Sequence, residues 1–199
     1  MFKLCLLLSS DLCVLPVADV LHQAIDGGAD LIQLREKTML PREFCEYAKP
    51  LIDICKSRNV KVVVNDSVEC AMALNADGVH LGQDDMPVRL ARKLLGPDKL
   101  IGLSTHSVEQ AEDAVSAGAD YIGFGPIFPT PTKGYLKGLG PEQLIMVRAG
   151  CALPVLAIGG IDTENACMVP RFSGIAVSSA VCAALEPKNI CLLLQQSRV

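Results

Sequence analysis

Along this chain, short apolar runs alternate with longer stretches in which apolar residues recur about every 3.6 positions. Leu4–Leu8 and residues 61–64, 100–103 and 154–158 are the short runs. Three further segments share a phrase: Gly28-Ala29-Asp30-Leu31-Ile32-Gln33, Asn75-Ala76-Asp77-Gly78-Val79-His80 and Gly118-Ala119-Asp120-Tyr121-Ile122-Gly123. Ser173-Gly174-Ile175-Ala176-Val177 repeats it loosely. Each reads as a helix stop with Gly or Asn at the left-handed position, a two-residue link, and a strand buried on both faces. Helical spacing occupies Val17–Asp26, Pro41–Ser57 and residues 68–74, 86–95, 107–117 and 141–149. Ser107 followed by Gln110 resembles a capping box, and Pro41, Pro87 and Pro141 sit at helix openings. Eight strands alternating with about eight helices, with no linker, predict an α/β fold: a small (β/α)8 TIM barrel forming one domain over residues 1–199. A doubly wound open sheet is the alternative, but it needs a Gly-rich first turn, and Ser9-Ser10-Asp11 supplies none.

Composition narrows the picture. Half of the residues are hydrophobic and only 20% are charged, enough to fill a large core and too apolar for disorder. The formal net charge is -4 with no Lys/Arg block, which argues against nucleic-acid and membrane-surface binding. The nine cysteines are scattered without a C-x-x-C pair, so neither structural zinc nor a disulfide framework is expected. Buried thiols in a reducing cytosol fit this usage, and a cytoplasmic protein is expected. The apolar stretch near Met1 is broken at Ser9-Ser10-Asp11 and reads as a first strand rather than a signal peptide. No run reaches the roughly 18 apolar residues of a spanning helix. Pro170 interrupts what would be the seventh helix, and residues 135–140 are unusually rich in Gly and Lys. Homo-oligomerisation is left open.

In such a barrel the loops at the C-terminal ends of the strands converge on one mouth. The residues there include Gln33, Arg35 and Lys37 after strand two, Asn65-Asp66 after strand three, and Asp84-Asp85 after strand four. Ser104-Thr105-His106 closes strand five, and the proline-rich GFGPIFPTPTKG leaves strand six with Thr130, Thr132 and Lys133. Gly159-Gly160 and Ser178-Ser179 close strands seven and eight. Cations (Arg35, Lys37, Lys133) beside carboxylates (Asp66, Asp84, Asp85) suggest Mg²⁺ held between protein oxygens and substrate phosphates. Asp84-Asp85 reads equally as a turn or N-cap before Met86-Pro87, and Asn65-Asp66 as the cap of the next helix. The paired glycines and serines match the phosphate site formed after strands seven and eight, with a tight turn and ordinary helix capping as the alternative. If strand two stays extended, Gln33, Arg35 and Lys37 project to one side, which suits a wet site. Neither His80 nor His106 has a zinc spacing, and His80 reads as either a core or a ligand-binding residue.

The set IQLREK (32–37), VND (64–66), DGVHLGQDDMP (77–87), GLSTHS (102–107), ADYIGFGPIFPTPTK (119–133), AIGGI (157–161) and GIAVSSA (174–180) resembles the thiamine phosphate synthases over nearly the whole chain. That resemblance implies a transferase joining hydroxymethylpyrimidine diphosphate to thiazole phosphate, with release of pyrophosphate. It implies Asp66 and Asp85 as Mg²⁺ ligands, and Arg35, Lys37, Asn65 and Lys133 on the diphosphate. Gln33 would place the pyrimidine, and Ser104 would sit near the reacting centre. Thr130, Thr132, Gly160, Val177 and Ser178 would hold the thiazole phosphate. The implied chemistry is ionisation of the diphosphate, assisted by Lys133, Ser104 and Arg35, and it needs no protein nucleophile. Three rivals stand beside this reading: a thiazole tautomerase, a class I aldolase using Lys133, and a phosphate-metabolite sensor without turnover. Asn65-Asp66, Asp85 and Thr132-Lys133 favour the synthase over the tautomerase.

Overall fold

The computed structural model describes residues 2–130 and 137–197. Its strands are β1 (Leu4–Leu8), β2 (Leu31–Leu34), β3 (Lys61–Asn65), β4 (Gly78–Leu81), β5 (Leu100–Thr105), β6 (Tyr121–Phe124), β7 (Val155–Ile158) and β8 (Gly174–Val177). They close into a barrel in chain order, β8 pairing with β1, and every pairing is parallel. The expected (β/α)8 architecture is therefore present.

The repeated phrase has a physical basis at the N-terminal rim. Gly28, Asn75 and Gly118 all have positive φ (92°, 48° and 88°), so each ends its helix in the left-handed conformation. The aspartate two residues on then latches the preceding strand. The Asp30 N–H donates to Leu4 O (3.0 Å) while Leu4 N–H donates back to the Asp30 carboxylate (3.0 Å). Asp77 makes the same reciprocal pair with Val62 (2.8 and 3.0 Å), and Asp120 with Ile101 (2.8 and 2.6 Å). Cations complete two of the latches: Lys61 reaches Asp77 at 2.7 Å and Arg92 reaches Asp120 at 2.6 Å. Each carboxylate thus fixes the start of one strand and the register of its neighbour.

Strand alternation sorts the core into two compartments. Leu4, Leu6, Leu8, Ile32, Leu34, Val62 and Val64 face outward and pack with helix residues such as Val20, Leu21, Phe44 and Ile52. Cys5, Leu7, Leu31, Val63, Tyr121, Leu156 and Ala176 fill the barrel interior. The helices are α1 (Val17–Asp26), α2 (Pro41–Ser57), α3 (Val68–Ala73), α4 (Val88–Leu95), α5 (Val108–Ala117), α6 (Gln143–Gly150), α7 (Ser179–Cys182) and α8 (Pro187–Gln196).

Their distribution differs from one helix per strand. Between β7 and β8 the described chain makes only a 3₁₀ turn, Ala166–Met168, which stops before Pro170, while β8 is followed by both α7 and α8. Proline removes a donor and its ring disfavours a helical conformation in the preceding residue, so Pro170 opposes a seventh helix through this point, although α2 does run through Pro50. Pro41 occupies the first turn of α2, whereas Pro141 precedes α6 by a short 3₁₀-type turn (Leu144 N–H to Pro141 O, 3.2 Å). At α5 the Ser107 hydroxyl accepts from Gln110 N–H as expected, but the Gln110 side chain returns to His106 N–H. Among the described residues no helix is long and apolar enough to cross a membrane.

Candidate active site

A cavity of about 410 Å³ opens at the C-terminal mouth of the barrel. Arg35 and Ser104 line it from β2 and β5. Thr130 and Pro129 line it from the loop after β6, Gly159 and Gly160 from β7, and Val177, Ser178 and Ser179 from β8. Arg35 reaches this position because its N–H continues the ladder to Leu8 O (2.9 Å) one residue beyond β2. The next residue secures the loop: Ser10 N–H and Oγ both donate to the Glu36 carboxylate, at 2.8 and 2.9 Å.

The proline-rich segment is strapped to β7. Ile127 N–H donates to Ile158 O (2.8 Å) and Phe128 N–H to Gly159 O (3.0 Å). From the other side Leu139 and Gly140 N–H donate to Pro126 and Ile127 carbonyls, at 2.7 and 3.0 Å. The strap lies so close that a Cβ on Gly160 would stand 2.5 Å from Pro129 O, and Gly160 itself has φ +65°. Both facts require glycine there. Asn165 Nδ2 holds the Gly160 carbonyl at 2.8 Å, and Asp162 closes the turn by accepting from Glu164 and Asn165 N–H. The Ser178 hydroxyl does not cap α7; it donates to Leu7 O at 2.8 Å and ties β8 to β1.

Beneath the mouth lies a polar chain within the barrel. His80 Nδ1 is 3.1 Å from the Tyr121 hydroxyl, and Nε2 is 3.0 Å from Ser104 Oγ. Burial holds the Tyr121 phenol well above its ordinary range, so it stays protonated. Either Tyr121 donates to His80 and His80 to Ser104, or both bonds reverse; the imidazole couples the two hydroxyls in both arrangements. Room for this chain comes from Gly102, where an added Cβ would stand 2.2 Å from Tyr121 Cζ and 2.4 Å from His80 Nδ1. His106, also lining the cavity, is fixed through Nδ1 donating to Gly125 O.

The carboxylates lie on adjacent loops. Asp66 has φ +63° and Ser67 N–H donates to Asn65 O (2.7 Å), a strained γ-turn at the end of β3. Asp66 N–H is anchored on His80 O at 2.8 Å. The helix-cap alternative for Asn65-Asp66 falls to Ser67, whose hydroxyl accepts from Cys70 N–H. Asp66 itself is exposed. Asp85 does not cap α4 either; its Oδ2 accepts from Gly82 N–H at 2.6 Å and closes the turn after β4. Among the described residues no three His, Cys, Asp or Glu side chains converge as a metal cage. One or two carboxylates, completed by substrate oxygens and water, form the donor set that suits Mg²⁺, and these two hard oxygen donors fit it.

The structure thus gathers Arg35, Ser104, Thr130, Gly160, Val177 and Ser178 around one cavity. Gln33 is only 3% exposed and points into the barrel. Lys37 is exposed, because β2 ends at Leu34 and the extended alternation does not carry past it. Asn65, Asp66 and Asp85 sit on the β3 and β4 side of the mouth, outside the cavity lining. Thr132 and Lys133 lie outside the described residues. Ser179 and His106, expected at the mouth, also line the cavity; the structure adds Pro129 and gives His80 and Tyr121 a position behind Ser104. A histidine near the end of a buried strand, paired with an inward glycine on the next strand, is not a recognisable pattern without the register His80↔Gly102.

A family model described as thiamine monophosphate synthase matches residues 4–181. The thiamine-phosphate synthase of Chlorobium luteolum is 50% identical over 175 residues, covering 86% of this chain and 82% of that protein. The chloroplastic thiamine biosynthetic bifunctional enzyme TH1 of Arabidopsis thaliana is 48% identical over 191 residues, 92% of this chain but only 37% of the plant protein. Among solved structures, thiamine phosphate pyrophosphorylase from Pyrococcus furiosus is similar with a TM-score of 0.89 and 35% identity, over 98% of this chain and 95% of that one.

Proposed function

The chain belongs to the thiamine monophosphate synthase family, and from that premise we propose that its site joins hydroxymethylpyrimidine diphosphate to thiazole phosphate, giving thiamine monophosphate and pyrophosphate. The observation that carries this reading is a single cavity running from Arg35 and Ser104 to the glycine and serine loops after β7 and β8. Two phosphate-bearing substrates can therefore meet over Ser104.

The reaction breaks the bond between the pyrimidine methylene carbon and the diphosphate oxygen, and the thiazole nitrogen captures the carbon. Negative charge grows on the leaving diphosphate, so fixed positive charge stabilises the transition state more than the ground state. Arg35 presents a planar cationic guanidinium that matches phosphate oxygens two at a time. Lys37, Asn65 and Lys133 are assigned to the same leaving group, and Gln33 to the pyrimidine. Asp66 and Asp85 would hold Mg²⁺, which when bound neutralises diphosphate charge. At the opposite end Thr130, Thr132, Gly160, Val177 and Ser178 are assigned to the thiazole phosphate. Since the Ser178 proton is committed to Leu7 O, that side chain can offer a phosphate no hydrogen of its own. Backbone N–H groups of these loops are the donors this arrangement leaves for the anion. No nucleophile is required, in keeping with the Cys5 thiol, which burial holds far above its ordinary range.

Product inhibition tests the reading. Pyrophosphate with Mg²⁺ should compete with the diphosphate substrate and not with thiazole phosphate. Competition against thiazole phosphate alone would remove the leaving-group assignment of the Arg35 end.

A further inference from the structure

Two thiols that the reaction does not use meet at the rim of the mouth. Cys13 follows the 3₁₀ turn Ser10–Leu12 after β1, and Cys182 ends α7, the helix that begins at the cavity-lining Ser179. The backbone joins them: Val14 N–H donates to Cys182 O at 3.2 Å. Their sulfurs hang from one extended stretch of backbone, Cys13 Sγ 3.3 Å from Ser9 O and Cys182 Sγ 3.6 Å from Leu7 O. Carbonyls two residues apart in an extended chain point the same way and stand about 6.6 Å apart. The sulfurs therefore occupy adjacent places on one side of that stretch.

We propose that Cys13 and Cys182 are a thiol–disulfide exchange site, forming a reversible bridge between the loop after β1 and the helix after β8. Their exposures divide the chemistry. Cys13 is partly exposed and can meet a small disulfide oxidant, whereas Cys182 is fully buried. The Cys13 sulfur, losing its proton, attacks one sulfur of the oxidant RSSR, forming a mixed disulfide and releasing RS⁻. Cys182 then attacks Cys13 Sγ, the second RS⁻ leaves, and the two thiol protons accompany the two RS⁻ as RSH. The protein pair is oxidised by two electrons and the oxidant is reduced by two. A resolving sulfur seated beside the first, on helix α7 whose end is joined to the Cys13 loop by the backbone, needs no access to solvent.

The test uses the folded full chain with oxidised glutathione, followed by alkylation and unreduced peptide mapping, with fragmentation to separate Cys13 from Cys5. The expected product is a Cys13–Cys182 linked peptide that dithiothreitol abolishes. Cys182→Ser should instead accumulate glutathione on Cys13, trapping the first step. If that variant does not fold, the wild-type map decides alone, with circular dichroism showing the fold intact during oxidation. Wild-type chain that keeps glutathione on Cys13 with Cys182 unbridged, or that shows no link between them, overturns the proposal.

Discussion

Adding one methyl group at Gly102 should break the chain of hydrogen bonds behind Ser104. The new Cβ of Gly102→Ala would stand 2.2 Å from Tyr121 Cζ, 2.5 Å from its hydroxyl and 2.4 Å from His80 Nδ1. Neither ring has room to withdraw, because Tyr121 is 1% exposed and His80 6%. Overpacking of this kind costs about 1–3 kcal/mol. Losing the His80–Tyr121 bond leaves a buried polar atom unpaired, for a further ~1–3 kcal/mol. The expected loss is thus about 2–6 kcal/mol, read as a fall in the urea midpoint at unchanged slope. Tyr121→Phe isolates the polar part, removing only the hydroxyl and costing about 1–2 kcal/mol. The double variant should lose less than the sum, because the same hydrogen bond cannot be lost twice. Gly102→Ala with stability within about 0.5 kcal/mol of wild type, the range of an ordinary surface change, would refute the packing of this interior.

Three other outcomes follow from particular residues. Asp120→Ala removes the latch to Ile101 N–H and Arg92, both at 2.6 Å, and should cost about 2–4 kcal/mol in urea unfolding; an unchanged midpoint would show the latch to be idle. Asp66→Asn keeps a residue that tolerates φ +63° but removes the charge, so stability should hold while half-maximal Mg²⁺ rises about tenfold or more. An unchanged Mg²⁺ titration would count against this ligand. Burial pushes the Cys55 and Cys191 thiols from an ordinary 9.0 up to about 12. A folded value above the unfolded one means stability complete below pH 9 and lost as pH rises toward 12, and Cys191→Ala should flatten that loss in urea midpoints measured across the range.

The barrel was legible because its signals are local. Helix stops at Gly28, Asn75 and Gly118 and continuous strands such as Leu4–Leu8 need no knowledge of distant partners. The aspartate in the repeated phrase was visible but its task was not, since the partner of Asp120 is Ile101 on a neighbouring strand, a contact set by register. The cavity lining was partly readable from strand ends, because loops at that end of a barrel must converge. Lys37 lies beyond Leu34, where the extended chain stops, so strand alternation does not set its direction. Asp85 was visible as an acid, while its bond to Gly82 N–H depends on a turn that composition does not specify. His80 could not be assigned from sequence: its meaning comes from Tyr121 and Ser104, 41 and 24 residues away. The contact between Cys13 and Cys182 is more distant still, and only closure of β8 onto β1 creates it.

The account rests most directly on one assay: the chain incubated with hydroxymethylpyrimidine diphosphate, thiazole phosphate and Mg²⁺, with thiamine monophosphate and pyrophosphate both quantified. Equal amounts of the two products, appearing only when both substrates are present, are the predicted result. Binding of the thiazole phosphate without either product, or its isomerisation without the diphosphate, would contradict it.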